Sequence, residues 1–260
     1  MLETTWFVLA ALPLIAYAVL DGFDLGVGIL HLRVAKTDDE RRQVLRSIGP
    51  VWDGNEVWIV VGGATLFLAF PRLFGVAFSG FYLPLMMVLW LLVFRALGIE
   101  MRHLMPHRLF DRLWDTSFAV ASALLAFGLG AALGNVVRGV SLDEEGIFFA
   151  PLWSDVFWPA PGVEGQTGVL DVFTVLCGLT TVAVLALHGA LWLASRLEGV
   201  VAGRAATDAK RLYVAALVLT VALTGATAWV QPNLTHNLGA RPLGIVFPVL
   251  GAASLAVLGR

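Results

Sequence analysis

The sequence predicts an all-α fold, a polytopic bundle of about seven transmembrane helices forming one integral membrane domain over residues 1–260. Of the 260 residues, 58% are hydrophobic and only 14% are charged, whereas about 25% are charged in an ordinary soluble domain. The mean hydropathy is +0.83. A net charge of −2 provides no basic surface for nucleic acid, and the single Cys177 excludes a disulfide framework. The composition therefore indicates a bilayer as solvent.

Seven apolar segments carry this prediction, since a spanning helix needs about 20 mostly apolar residues. In chain order they cover about 6–30, 55–70, 78–98, 116–137, 169–193, 212–230 and 243–258. The second segment is short. The first has no basic leading region and contains Asp21 and Asp24 where a cleavage site would fall. We therefore interpret it as a retained helix and not as a signal peptide.

The distribution of basic residues predicts the orientation of the bundle, because cytoplasmic loops are enriched in Lys and Arg. The loops after the first, third and fifth segments contain Arg33, Lys36, Arg41, Arg42, Arg46, Arg102, Arg108, Arg112, Arg196, Arg204, Lys210 and Arg211. The other loops contain Arg72, Arg138 and Arg241. The amino terminus and the loop over 139–168 are therefore predicted outside. In the first cytoplasmic loop, TDDE at 37–40 predicts a short surface helix with a capping box at Thr37.

Six ionisable residues fall inside the predicted membrane or at its cytoplasmic edge. They are Asp21 and Asp24 in the first segment, Asp53 and Glu56 at the start of the second, and Arg95 and Glu100 at the end of the third. Intramembrane carboxylates are costly and usually functional, and burial favours their neutral form, which allows proton exchange. We interpret the five acids as a proton pathway and Arg95 as their charge partner.

Structural roles stay open for several of these residues. Asp53 and Glu56 also fit a capping box at the start of a helix. Arg95 fits an ion pair that neutralises an aspartate of the first segment, and Glu100 fits a solvated position at the interface.

Other features of the sequence favour packing over chemistry. The glycines at 22, 26 and 28 predict close approach of a second helix. The sequence predicts His31 in a cytoplasmic loop and His188 inside a helix, where a lone histidine is more typical of a hydrogen-bonded interior residue than of a haem ligand. We predict no metal site, no nucleotide-binding motif and no catalytic nucleophile in this chain.

Five stretches of sequence together resemble one membrane protein family. They are DGFDLGVG (21–28), GPVWDGNEVWIV (49–60), FSGFY (78–82), FRALGIEMR (94–102) and LGNVVRG (133–139). In combination they resemble subunit II of the cytochrome bd-type quinol oxidases, closely over the first four segments and more loosely beyond. Members of that family usually continue by about one further helix, so we expect this chain to be truncated or a short variant.

The resemblance implies the non-haem subunit of a quinol:O₂ oxidoreductase in a bacterial or archaeal plasma membrane. Its partner would be subunit I, which carries haems b and d and oxidises quinol; small accessory subunits, lipid and a bound quinone fit the same resemblance. This chain would support subunit I and contribute to uptake of cytoplasmic protons. The family's proton-path acid falls on Asp53, its paired aspartates on Asp21 and Asp24, and its third-helix arginine and acid on Arg95 and Glu100.

Two other functions fit some of the same residues. A proton-coupled transporter also holds carboxylates and an arginine inside a helix bundle, although its helices are typically broken near the membrane midplane. An assembly scaffold would need no proton transfer. Purification with or without a haem-bearing partner discriminates the oxidase subunit from the transporter.

Overall fold

The computed structural model describes residues 2–104, 108–140, 142, 144–147, 169–240 and 242–258, and the regular elements within them are helices. The helices are α1 Leu2–Val34, α2 Asp38–Ile48, α3 Trp52–Ala69, α4 Pro71–Gly80, α5 Tyr82–Leu104, α6 Arg108–Arg138, α7 Val172–Arg196, α8 Gly199–Val230, α9 Pro232–Ala240 and α10 Val246–Leu258, with a 3₁₀ turn Pro242–Ile245 before the last. Most of the predicted outside loop over 139–168 lies outside the described residues.

Within the described residues, five helices are long and apolar enough to cross a membrane: α1, α5, α6, α7 and α8. The all-α polytopic fold is thereby confirmed. The predicted second segment corresponds to α3, whose 18 residues begin with a polar turn. The predicted seventh segment is divided between the 3₁₀ turn and the 13-residue α10.

The structure differs most from the predicted segments at α4 and at the start of α8. The short helix α4 lies between the second and third segments, where no separate element was predicted. Helix α8 begins at Gly199, well before the predicted start at residue 212. Its first turns contain charged residues that lower the hydropathy, but these same residues make ion pairs with the ends of other helices. Arg204 donates to Glu40 at 2.8 Å, and Arg33 donates to Asp208 at 2.7 and 2.9 Å.

Helix α1 lies at the centre of the bundle and packs against α3, α6 and α7, with α8 on the far side of α7 and α5 against α6. The crossing of α1 and α7 is tight. A Cβ on Gly26 would lie 1.9 Å from the carbonyl oxygen of Leu185 and 2.6 Å from the nitrogen of Gly189. The predicted backbone approach is confirmed at Gly26, because only the missing side chains allow this separation. Gly28 instead faces a side chain, that of Ser122.

One end of the bundle carries α2 together with the ends of α1, α5 and α7 and the starts of α3, α6 and α8; we refer to it as the α2 end. The predicted capping box of α2 is confirmed: the Glu40 backbone N–H donates to the Thr37 hydroxyl at 3.3 Å, and the Thr37 N–H donates back to the Glu40 carboxylate at 3.2 Å. The backbone N–H of Lys36, the Arg204 guanidinium and the Thr37 N–H hold the pKa of Glu40 below its usual range.

The opposite end of the bundle joins α6 to α7. Asp171 caps α7 and accepts a 2.7 Å bond from the Thr174 backbone N–H, while the Thr174 hydroxyl accepts from the Asp171 N–H. Arg138 pairs with the Asp171 carboxylate and also donates to Asn135 at 2.7 Å. Partial burial raises the pKa of Asp171, but the Thr174 and Arg138 bonds outweigh it, so the net pKa lies below the usual range.

Candidate proton-transfer site

The centre of the candidate site is an ion pair between α1 and α5. Both side chains are 0% exposed. Arg95 donates from Nη1 to Asp21 Oδ2 at 2.9 Å, and its Nη2 donates to the other oxygen of the same carboxylate. Such a fork-to-fork pair fixes both side chains and compensates the charge of each. The structure therefore places Arg95 against an aspartate of the first helix, and that aspartate is Asp21.

Two further acids surround this pair. Glu56, in the second turn of α3, places Oε2 at 3.6 Å from Arg95 Nη1. Asp24 is 0% exposed, accepts a 2.8 Å bond from the side-chain amide of Asn55, and has a second oxygen, Oδ1, with no hydrogen-bond partner among the described residues. Asn55 was not singled out from the sequence, although it lies between Asp53 and Glu56 in the same motif.

The two remaining predicted acids lie at the surface of this chain. Asp53 and Glu100 are both exposed, on α3 and α5 near the α2 end. Helix α3 starts at Trp52 with Val51 as its N-cap and no side-chain cap bond. The capping-box interpretation of Asp53 is therefore wrong. Since the helix begins two residues earlier than the motif suggested, Asp53 lies inside the first turn, where a carboxylate still interacts favourably with the helix dipole.

A second buried cluster, at the α2 end, was not predicted from the sequence. Asp115 on α6 accepts from His31 Nε2 at 2.7 Å and from Arg41 Nη1 at 2.9 Å, and Arg102 Nε lies 3.0 Å from the same carboxylate. The predicted loop position of His31 is wrong: the residue is 0% exposed within α1. Helix α1 continues to Val34 because its end is buried against α2. The spacing could have indicated that His31 lies within the helix, since it follows Asp24 by seven residues, which is two helical turns on the same face.

His188 lies in the middle of α7, as predicted, with its ring 5.8 Å from that of Phe23 in an edge contact. Burial of the ring between α1 and α7 fits an interior packing role. Within the described part of the chain, no group of three or more His, Cys, Asp or Glu side chains could hold a metal ion.

Asp21 and Asp24 lie about one helical turn apart on α1 but have different surroundings. Asp21 faces a guanidinium that stabilises its charge, whereas Asp24 faces a neutral amide. A buried carboxylate without an opposite charge is costly in its ionised form. Asp21 is thus suited to hold a charge permanently, and Asp24 is suited to bind and release a proton. The fold and this site define a class, a multi-pass helical membrane protein with a buried cluster of ionisable side chains.

The chain belongs to the cytochrome bd terminal oxidase subunit II family, whose sequence profile matches residues 2–260. It is 34% identical over 230 residues to cytochrome bd-I ubiquinol oxidase subunit 2 of Escherichia coli (strain K12), covering 88% of this chain and 57% of that protein. It is 32% identical to the probable cytochrome oxidase subunit 2 of Haemophilus influenzae, with 88% and 57% covered. It is 28% identical to cytochrome bd ubiquinol oxidase subunit 2 of Bacillus subtilis, with 91% and 66% covered.

These matches confirm the resemblance inferred from the five sequence motifs. They also show that the chain spans little more than half the length of the Escherichia coli and Haemophilus influenzae relatives.

Proposed function

We propose that this chain is the non-haem subunit of a bd-type quinol:O₂ oxidoreductase and that it conducts protons from the cytoplasm toward the site of O₂ reduction. The proposal is carried by the agreement between the family-like sequence motifs and the positions of the buried charged residues. The stretches that resemble the family are the ones that supply the buried cluster, with Asp21 and Asp24 from α1, Glu56 from α3 and Arg95 from α5.

The proposed path runs from the α2 end into the bundle. The excess of Lys and Arg in the loops at this end supports its assignment to the cytoplasm. Asp53 and Glu100 would collect protons from water there, Glu56 would pass them along α3, and Asp24 would bind them next to the Asp21–Arg95 pair. Asp53 and Glu56 are three residues apart on one face of α3, so these two carboxylates are within one helical turn of each other.

The cofactors and substrates of the reaction belong, in this proposal, to a second chain. That chain is a haem-bearing subunit I with haems b and d, and quinol and O₂ are the substrates of the complex. The membrane is the plasma membrane of a bacterium. A bound quinone, lipid and small accessory subunits are compatible with the exposed apolar faces of α3, α5 and α8, where residues such as Val60, Trp90 and Val221 are exposed. Family membership favours this function over a proton-coupled transporter or a scaffold.

The experiment combines purification with one substitution. Purified from its native membrane, the chain should be recovered with a haem-bearing partner, and Asp24→Asn should slow O₂ reduction at least tenfold while the haem spectrum is retained. Asp39→Asn is the matched control, because Asp39 is a 90% exposed aspartate on α2 that pairs with the neighbouring Arg42. Recovery of a folded chain without haem, or unchanged turnover in Asp24→Asn, would overturn the proposal.

A further inference from the structure

We propose that His31 is a second proton-binding site, which exchanges protons with Asp24 through Ser122 and acts as a proton store beside the main path. This inference rests on the proposed function of Asp24. It concerns a buried histidine and a buried serine to which the path described above assigns no role.

Asp24, Ser122 and His31 lie in succession along the interface of α1 and α6. On α1, Asp24, Gly28 and His31 are spaced by four and three residues and share a face, with rises of about 6 and 4.5 Å between them. Ser122 of α6 lies beside Gly28, because a Cβ built on that glycine would be 2.1 Å from the serine hydroxyl. The hydroxyl therefore occupies the space between the levels of Asp24 and His31.

Asp24, Ser122 and His31 each have a buried side-chain polar atom with no hydrogen-bond partner in the part of the chain that the structure describes. These atoms are Asp24 Oδ1, Ser122 Oγ and His31 Nδ1. Buried polar atoms in native proteins are almost always satisfied by protein or by ordered water, and internal waters typically bridge several such groups. Three unsatisfied atoms in succession on one helix interface favour a continuous hydrogen-bonded connection from Asp24 to His31.

His31 belongs to a cluster of charged side chains. Nε2 donates to Asp115 at 2.7 Å, which leaves Nδ1 as the exchanging nitrogen. The cluster contains the guanidinium groups of Arg41 and Arg102 and three carboxylates, since Arg102 also lies 3.3 Å from both Asp38 and Asp111. With a neutral imidazole the cluster carries one net negative charge, and with an imidazolium it is neutral.

The transfer conserves protons and charge. Bridging water and the Ser122 hydroxyl relay the proton of the Asp24 carboxylic acid to His31 Nδ1, so that in sum one O–H bond breaks and one N–H bond forms. Asp24 is then a carboxylate, which takes up the next proton from the main path, and His31 is an imidazolium. When the reaction consumes protons faster than the path delivers them, the reverse transfer returns the stored proton to Asp24.

Ser122→Ala provides the sharpest test. Removing an unpaired buried hydroxyl is neutral or stabilising for the fold, so a purely structural role predicts no loss of activity. We expect Ser122→Ala and His31→Gln, measured in the assembled complex at saturating quinol, to reduce O₂ consumption severalfold above pH 8, where proton supply limits the rate. Below pH 6.5 their turnover should match the unsubstituted complex, with unchanged haem spectra. His188→Gln is the matched control and should leave the pH profile unchanged, because this histidine of α7 makes an edge contact with Phe23 and no ion pair with another described residue.

The outcomes are separable. Should Asp24→Asn slow turnover while both Ser122→Ala and His31→Gln keep the unsubstituted pH profile, the store is refuted and the main path stands. Unchanged turnover in Asp24→Asn would refute the proposed function itself. If His31→Gln fails to assemble because Asp115 loses a partner, the pH profile of Ser122→Ala alone decides.

Discussion

Removing the guanidinium of Arg95 should destabilise the bundle more than removing any surface charge. In Arg95→Gln the Asp21 carboxylate stays at 0% exposure but loses both hydrogen bonds of its bidentate pair, and its neighbours Asp24 and Glu56 are also acids. Breaking a buried pair by removing one partner costs about 3–5 kcal/mol. At about 1.4 kcal/mol per factor of ten, this is a loss of two to four orders of magnitude in the folding equilibrium.

A double-mutant cycle measures this coupling. Unfolding of the purified protein by sodium dodecyl sulfate in mixed micelles gives the free energy for Arg95→Gln, for Asp21→Asn and for the double substitution. In the double variant two neutral amides replace the pair, so it should be more stable than the sum of the single effects by about 1–3 kcal/mol. Arg42→Gln is the control, since its exposed pair with Asp39 is worth less than about 1 kcal/mol. Strictly additive effects, or an Arg95→Gln variant as stable as Arg42→Gln, would refute the reasoning.

Two further predictions concern the helix crossing and a helix cap. Gly26→Ala should destabilise the α1–α7 crossing, because its Cβ would lie 1.9 Å from the Leu185 carbonyl oxygen. Gly63→Ala, whose Cβ would have no atom within 4 Å, should instead stabilise the protein by up to about 1 kcal/mol through helix propensity. Thermal melts that rank the two variants the other way would contradict this packing. Asp171→Ala should cost about 1 kcal/mol at neutral pH through loss of the α7 cap. Since folding depresses the pKa of Asp171, this stabilisation is present above the unfolded pKa of about 3.9 and is lost as the pH falls through the folded pKa. A difference in unfolding free energy between the two proteins that persists at pH 2 would exclude the carboxylate as its source.

The parts of the fold that depend on local signals were predictable from the sequence. The capping box at Thr37, the central apolar runs of the long helices and the small-residue approach at Gly26 are local or periodic patterns. The start of α8 was missed because hydropathy marks only the part of a helix that lipid surrounds. Arg204 and Asp208 extend that helix beyond the apolar stretch by pairing with α2 and α1.

The candidate site was predictable only in part. Asp21, Asp24 and Arg95 stand out because each is a charge inside an apolar segment, and topology brings the α1 and α5 segments to a common depth. The choice of Asp21 over Asp24 as partner of Arg95 depends on the rotation of α1 against α5, which the sequence does not encode locally. The cluster of His31, Asp115 and Arg102 was missed because each residue stands at the end of its apolar segment, where a charged side chain is ordinarily solvated.

Proton uptake by the assembled complex is the most direct test of the central claim, that the buried carboxylates of α1 conduct protons for O₂ reduction. The measurement mixes the reduced complex with O₂ in the presence of a pH-indicator dye and follows proton uptake and haem oxidation together. The account predicts that Asp24→Asn slows proton uptake at least tenfold relative to Asp39→Asn, with the same haem content in both. Equal uptake rates in the two variants would contradict it.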